Sequence, residues 1–364
     1  MIKILTLGKN SHKITLKPFS FFSYSLVTTT YVFIGLLLCQ VAMLFVTQSY
    51  NALVNVFTSV FSSVLVEMIF YYINRNNFMY RESWKTCIIH GLIVGLMTPA
   101  SYSAMALFFV SFFVLMIGRY VIGSFYNSWV NLSALTICVL YFLNPEAFPA
   151  IAITSQELQS RNSALYLIRS GAVDINAYDS AITEFLNNHI FSFFSVSIPD
   201  GYVSLFWDNG FDIPAFRFNF ITLISSIVIF SLELVDYIIP VCFITVYLVL
   251  VRIFASYLSG GPAFQGDVLL ALLTGGTLFS TLYILQWFGT TPVTRSGKIY
   301  YGIISGIIGF LIIGFGLSPA GFVFMVLAMN LISIVIQVLE NKKVDMHVER
   351  NLMERLRSQK DDLK

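Results

Sequence analysis

Charge is what this 364-residue sequence has least of: Asp, Glu, Lys and Arg together make up 11% of it. A soluble chain keeps roughly a quarter of its residues charged, so a globule dissolved in water is excluded. The formal net charge of +2 gives no sign of a nucleic-acid partner. Cysteine is also sparse. Cys39, Cys87, Cys138 and Cys242 stand singly inside apolar runs, and the absence of any CxxC pair excludes an encoded zinc site or iron–sulfur run. They read as small buried hydrophobes, with a cluster shared with a partner subunit as the alternative. There is no nucleotide-binding fingerprint, metal motif or catalytic dyad, so the chain does not read as a complete enzyme. The apolar run after Tyr24 is too long for a signal peptide and lacks a cleavage site.

What the chain does have is apolar surface, at 57% of its residues, including 35 phenylalanines. A helix needs about 20 apolar residues to cross roughly 30 Å of hydrocarbon. Ten candidate segments follow: 24–46, 52–72, 86–98, 101–118, 129–148, 218–236, 237–257, 267–288, 299–316 and 319–339. The expected fold is an all-α integral membrane protein of about ten transmembrane helices in two similar five-helix halves, with a long extracytoplasmic loop. Its divisions are an N-terminal membrane half (1–149), the loop (150–217), a C-terminal membrane half (218–340) and a tail (341–364). The third segment is short and stops at Thr98-Pro99, because proline removes a backbone donor. The eighth carries Thr274-Gly-Gly-Thr277 at its middle and is expected to break there. Broken segments at membrane depth line cavities or meet partners, since their freed backbone groups need them.

The basic residues set the expected orientation. Lys and Arg lie in the N-terminal tail, at Arg75, Arg81 and Lys85, at Arg119, at Arg295 and Lys298, and after Glu340. Ten spans place all of these on the cytoplasmic side, with both termini inside and residues 150–217 outside. Arg252, near the outer end of the seventh segment, would snorkel to the interface. In the loop, Ser155–Tyr166 suggests a short helix, and Tyr178–Asn188 another with Asp179 or Ser180 as its cap. Four intramembrane ionisable residues are functional candidates by type: Glu67, His90, Glu233 and Asp236. Asp236 is expected at a cytoplasmic turn. Glu67, deep in the second segment, is the candidate for an ion or proton path; the alternative is a carboxyl satisfied by a neighbouring helix.

Two six-residue stretches echo one another: Gly118-Arg-Tyr-Val-Ile-Gly123 and Gly297-Lys-Ile-Tyr-Tyr-Gly302. With His90–Pro99, Asn127–Ala134, Asp267–Phe279, Gly289-Thr-Thr-Pro-Val-Thr294 and Ser318–Leu331, they form a pattern that resembles one family. The resemblance is to the D subunit of Rnf electron-transport complexes and its homologue, the B subunit of sodium-pumping NADH:quinone oxidoreductase. It spans nearly the whole chain and is densest at 86–134 and 267–340. It implies two similar membrane halves and FMN joined by a phosphoester to a threonine of the outer loop, within Asp-x-x-Ser/Thr-Gly-Ala-Thr.

The aligned segment here is Ala177-Tyr-Asp-Ser-Ala-Ile-Thr183. It puts Thr183 at the FMN position and Ser180 at the other hydroxyl position. Ala177, Ala181 and Ile182 replace the family's Asp, Gly and Ala, and branched Ile182 crowds the approach to Thr183. A Gly-Glu-Thr-Ser turn expected later in the loop is replaced by Ser195–Ser204, which can still turn at Pro199-Asp-Gly201. Asn127 and Asn131 match the family's asparagines, whose amides serve a second, non-covalent flavin or cap a helix. Tyr120 and Thr291 stand where related chains carry other polar residues.

The resemblance therefore implies a non-autonomous subunit of a redox-driven ion translocase in the bacterial cytoplasmic membrane. It would couple electron flow between ferredoxin and NAD to ion movement, with the other subunits of the complex and the lipid bilayer as partners. The sodium-pump B subunit, a flavin-less scaffold subunit and a two-repeat channel or transporter stay open beside it. The tail after Glu340, with mixed charges, reads as an exposed helix.

Overall fold

A computed structural model describes residues 26–73, 84–122, 130–149, 168, 171, 174–195, 197–258, 260–287, 289–314 and 318–361. All regular structure among the described residues is helical. In hydrocarbon no water meets a free peptide group, so an apolar run closes its backbone hydrogen bonds within itself. Five helices are long and apolar enough to cross a membrane. They are α1 (Leu26–Val46), α2 (Tyr50–Ile73), α10 (Ile238–Leu250, extended through the π-helical turn Val251–Ala255 to Leu258), α13 (Arg295–Ile313) and α14 (Gly321–Asp361). Four shorter apolar helices accompany them: α3 (Trp84–Met97), α4 (Ala104–Met116, running on through π-helical Ile117–Ile122), α5 (Leu132–Leu143) and α9 (Asn219–Ser231). This is a multi-pass membrane protein.

Both expected breaks are present. α3 stops at Met97, immediately before Thr98-Pro99. The eighth segment is split into α11 (Val268–Leu273) and α12 (Thr277–Tyr283). Between them Gly276 takes a left-handed φ of +64°, and a Cβ there would run into the Phe216 ring; only glycine meets both conditions. Three small helices belong to the 150–217 stretch: α6 (Asp179–His189), α7 (Tyr202–Trp207) and α8 (Pro214–Arg217).

One end of the bundle, here the loop face, gathers the α1–α2 turn, the α3–α4 turn and the end of the 150–217 stretch. Arg217 Nη1 donates to Ser49 Oγ at 2.7 Å, Ser101 Oγ donates to Asp212 Oδ2 at 2.7 Å, and the Ala100 amide donates to the Asp212 carbonyl at 3.0 Å. The opposite, tail face holds the Asp236–Lys298 ion pair at 2.7 Å. There Asp236 sits in the turn between α9 and α10, as its position suggests. Burial would raise its carboxyl, but the Lys298 and Ile238 hydrogen bonds and the charges of Lys298 and Arg295 hold it below its ordinary value.

Several expectations need correction. The two Gly-basic-x-x-x-Gly stretches are not equivalent, for Gly118 lies at the end of its helix and Gly297 in the first turn of its own. Gly297 has a local reason: Glu340 of α14 lies against it and accepts a hydrogen bond from Thr294, the N-cap of α13. The cysteines are not uniformly buried filler, since Cys39 is exposed and Cys242 half-buried. Arg252 donates to the Gly266 carbonyl at 3.0 Å. Ser155–Tyr166 lies outside the described residues.

Helices α2 and α3 pack backbone against backbone at Gly91 and Gly95. A Cβ on Gly95 would lie 2.6 Å from the Val56 Cα, whereas one on Gly35 would meet nothing within 4 Å. Gly95→Val must therefore separate two backbones, an overpacking cost of about 1–3 kcal/mol or more. It is expected to lower the thermal midpoint of the detergent-solubilised protein by several degrees. Gly35→Val is expected to leave the midpoint within a degree or two.

Candidate functional site

Among the described residues, polar chemistry concentrates in three places. The first is the junction of the two broken segments. Where helices stop inside the bundle, their last carbonyls lack partners, and buried amides supply them. Asn55 Nδ2 donates to the carbonyls of Pro99 (2.9 Å) and Tyr102 (3.2 Å), beyond the end of α3. Asn219 Nδ2 donates to the Leu273 carbonyl at 3.0 Å, at the α11–α12 break. Asn131 serves twice. Its Oδ1 accepts from Ser133 and Ala134 as the N-cap of α5, and its Nδ2 donates to the Ile284 carbonyl at 2.9 Å. The capping reading of Asn131 is thus realised, with its amide also committed to the far half of the chain. Asn127 lies outside the described residues. Beside Asn131, Ser133 hydrogen-bonds with His90 Nδ1 at 3.0 Å. His90 Nε2 and both amide atoms of Asn330 are buried with no hydrogen-bond partner among the described residues.

The second place is an intramembrane cluster built from α2, α3 and the end of α4. Glu67 and Arg119 form an ion pair at 3.4 Å, with side chains only 4% exposed on both sides. Arg119 Nη1 also donates to Cys87 Sγ at 2.6 Å, the Cys87 thiol reaches Glu67 Oε2 at 3.5 Å, and the Tyr120 hydroxyl donates to the same oxygen. The carboxylate is therefore matched by a neighbouring cation, thiol and phenol. By sequence position Arg119 is a loop charge that reports orientation. The π-helical turn instead carries it inward, where Glu67 compensates a charge that hydrocarbon would otherwise exclude.

The third place is the loop face around Thr183. Asp179 is expected as a cap of α6, but that helix starts after Tyr178 with no side-chain cap. Asp179 instead reaches across to the start of α7. Its Oδ1 accepts from the Gly201 amide (2.7 Å) and Thr183 Oγ1 (3.1 Å), and its Oδ2 accepts from the amide and hydroxyl of Ser204 (both 2.6 Å). Burial would raise this carboxyl, but the bonds from Ser204, Gly201 and Thr183 hold it below its ordinary value. The turn at Asp200-Gly201 forms as expected, with Gly201 at φ +101°. Ser180 is exposed and takes no part.

Thr183 also borders an open cleft of about 1390 Å³, walled by Tyr178, Phe191, Tyr202, Phe206, Trp207 and Phe220. Met43 and Val46 of α1 and Leu223 of α9 close its inner side, so it sits where the loop meets the spans. The aromatic walls suit the ring system of a flavin. No Lys, Arg or His lies among the described lining residues, so none of them offers a cation to a phosphate. The described lining residues fit the ring and not the phosphoester. Sequence reasoning named Asp179 only as a cap and missed its bonds to Ser204, and it missed Asn55 and Asn219. The detectable signal was a short polar side chain in otherwise apolar surroundings.

The geometry yields two expected outcomes. Removing one partner of a buried ion pair strands the other, at about 3–5 kcal/mol. Glu67→Gln and Arg119→Gln should each sharply reduce detergent-stable protein, and the double variant should recover most of it; losses that simply add would show that the pair is not coupled. For Asp179, the folded value lies below the unfolded one. Its contribution is complete above the ordinary carboxylate range near pH 4 and is lost as pH falls through the folded value. Limited proteolysis should show the 179–204 region loosening with acidification in the wild type. Asp179→Asn, with about 1–3 kcal/mol less stabilisation from its unmet partners, should be looser at neutral pH and much less sensitive to acid.

Comparison with known proteins adds an independent finding. The model of the NQR2, RnfD, RnfE family matches residues 14–345. The D subunit of the ion-translocating oxidoreductase complex of Buchnera aphidicola subsp. Baizongia pistaciae (strain Bp) is 23% identical over 309 residues, covering 77% of this chain and 83% of that relative.

Proposed function

The chain belongs to the NQR2, RnfD, RnfE family, and from that premise we propose that it is the D-type membrane subunit of an Rnf-type ion-translocating electron-transport complex. In this reading the complex couples electron transfer between ferredoxin and NAD to ion movement, and the chain works only with its other subunits. The observation that carries the proposal is the extent of likeness to the D subunit of an ion-translocating oxidoreductase complex, over most of both chains. The bundle supports it physically. The Asn131–Ile284 bond ties the start of α5 to the end of α12 in the interrupted eighth segment, an irregular backbone of the kind tolerated in a membrane only against protein or a polar cavity.

We read the topology as ten membrane segments in two five-segment halves, in the bacterial cytoplasmic membrane. Arg295 and Lys298 lie beside Asp236 at the tail face, away from the 150–217 stretch, which supports both termini being cytoplasmic. A flavin, when bound, passes one or two electrons and so bridges one-electron and two-electron centres. This chain's own part at the loop face is to offer an apolar, aromatic cleft to a ring and to brace it with the Asp179–Ser204 contacts. Within the membrane its part is to keep Glu67 and Arg119 matched, so that no uncompensated charge interrupts the bundle. Glu67 remains the carboxylate proposed to face an ion path, with Arg119 as its resident counter-charge.

The test is an affinity tag on this chain in its native membrane. Redox subunits should co-purify, and inverted vesicles should show ferredoxin-driven NAD reduction with ion uptake that disappears on deletion of the chain. Recovery of the chain alone, with solute or ion flux independent of any electron donor, would instead support a channel or transporter.

A further inference from the structure

We infer that Thr183 carries no phosphoester-linked flavin in this chain, because its hydroxyl is already committed to Asp179, whose buried carboxylate would face the ester's phosphate. The inference rests on the family reading only in that the reading directs attention to this threonine.

The obstruction is local and geometric. Esterification forms an Oγ1–P bond, breaks a phosphoanhydride bond of a flavin dinucleotide donor and releases the nucleotide, while the hydroxyl proton passes to solvent. In this chain the Thr183 hydroxyl donates that proton to Asp179 Oδ1 at 3.1 Å. The ester would therefore remove the hydrogen bond and set a phosphate anion against the same oxygen. Asp179 has little freedom to withdraw. Both of its oxygens are held by backbone amides of the α7 start, Gly201 at 2.7 Å and Ser204 at 2.6 Å, and the Ser204 hydroxyl adds a further bond at 2.6 Å. Asp179 is fully buried and Thr183 is 2% exposed, so water is poorly placed to screen the two anions. None of the described lining residues of the adjoining cleft supplies a cation. Ile182, half-exposed on the cleft wall, fills the approach that a small residue would leave open. The acid, its backbone donors and the branched neighbour act together: the hydroxyl is retained but already committed.

The test co-expresses the full-length chain with a flavin transferase and an acceptor chain known to be labelled in the same cells. Readouts are ultraviolet fluorescence on a denaturing gel and the mass of the peptide containing Thr183. The wild type should be unlabelled while the acceptor chain is labelled. A variant with Ala177→Asp, Asp179→Ala, Ala181→Gly and Ile182→Ala together should gain the label, and adding Thr183→Ala should remove it. Gel filtration and limited proteolysis of the wild type, which should show one sharp peak and a protected 179–204 region, check that its unlabelled state does not come from misfolding of the loop. Label on the wild type that is lost in Thr183→Ala would overturn the inference. A four-residue variant that stays unlabelled beside a labelled acceptor would overturn it too, since the obstruction would then lie elsewhere. Co-purification of redox subunits with the unlabelled wild type tests the family reading separately, so failure of one is distinguishable from failure of the other.

Discussion

Everything in this bundle depends on one constraint: a peptide carbonyl released by a broken helix inside an apolar protein must find a donor within the protein. The chain stops α3 at Thr98-Pro99 and interrupts α11–α12 at Thr274–Gly276, and the carbonyls freed there and at the end of α12 are met by the amides of distant asparagines. Asn55 meets Pro99 and Tyr102, Asn219 meets Leu273, and Asn131 meets Ile284. Each such buried donor would cost about 1–3 kcal/mol if left unmatched, and so would each carbonyl. Breaks and amides therefore have to be kept together. The third contact also joins the first half of the chain to the second, as does the Gln40–Thr222 bond.

Two of the buried carboxylates, Glu67 and Asp179, obey the same rule in different media. Glu67 lies within the spans, where the match is Arg119 with a thiol and a phenol around it. Asp179 lies at the loop face, where the match is backbone amides and hydroxyls, with no cation needed. Hydrogen bonds to an ionised acid are among the stronger ones a protein makes, which is why Asp179 can knit α6 to α7 across a turn. The consequence for function is that Asp179, Thr183 and Ser204 are occupied in holding the loop's own shape, while the described lining of the neighbouring cleft is mainly apolar.

Much of the architecture was legible in advance because its causes are local. Thr98-Pro99 had to stop a helix, Thr274–Thr277 had to interrupt one, and Asp236 flanked by two apolar runs had to turn. The site was less legible because its causes are not local. Asp179 looked like a cap for the helix it begins, yet it serves another helix 22–25 residues further on. Arg119 looked like a topological marker, and the π-helical turn that redirects it left no pattern in the residues. The Gly118 and Gly297 stretches looked alike because glycine and a basic residue recur at helix ends, although one end closes a helix and the other opens one.

By itself the sequence determined the medium, the helical class and the places where helices must fail, since hydrophobic length and proline or glycine chemistry act over a few residues. Only the tertiary structure decided which acid meets which base and which amide meets which carbonyl. It alone placed the thiol of Cys87 and the hydroxyl of Thr183 among committed neighbours. The physical reason is separation along the chain: Asn131 and Ile284 are 153 residues apart, and Glu67 and Tyr120 are 53 apart. Short-range preference carries no information about such pairs until the helices have packed.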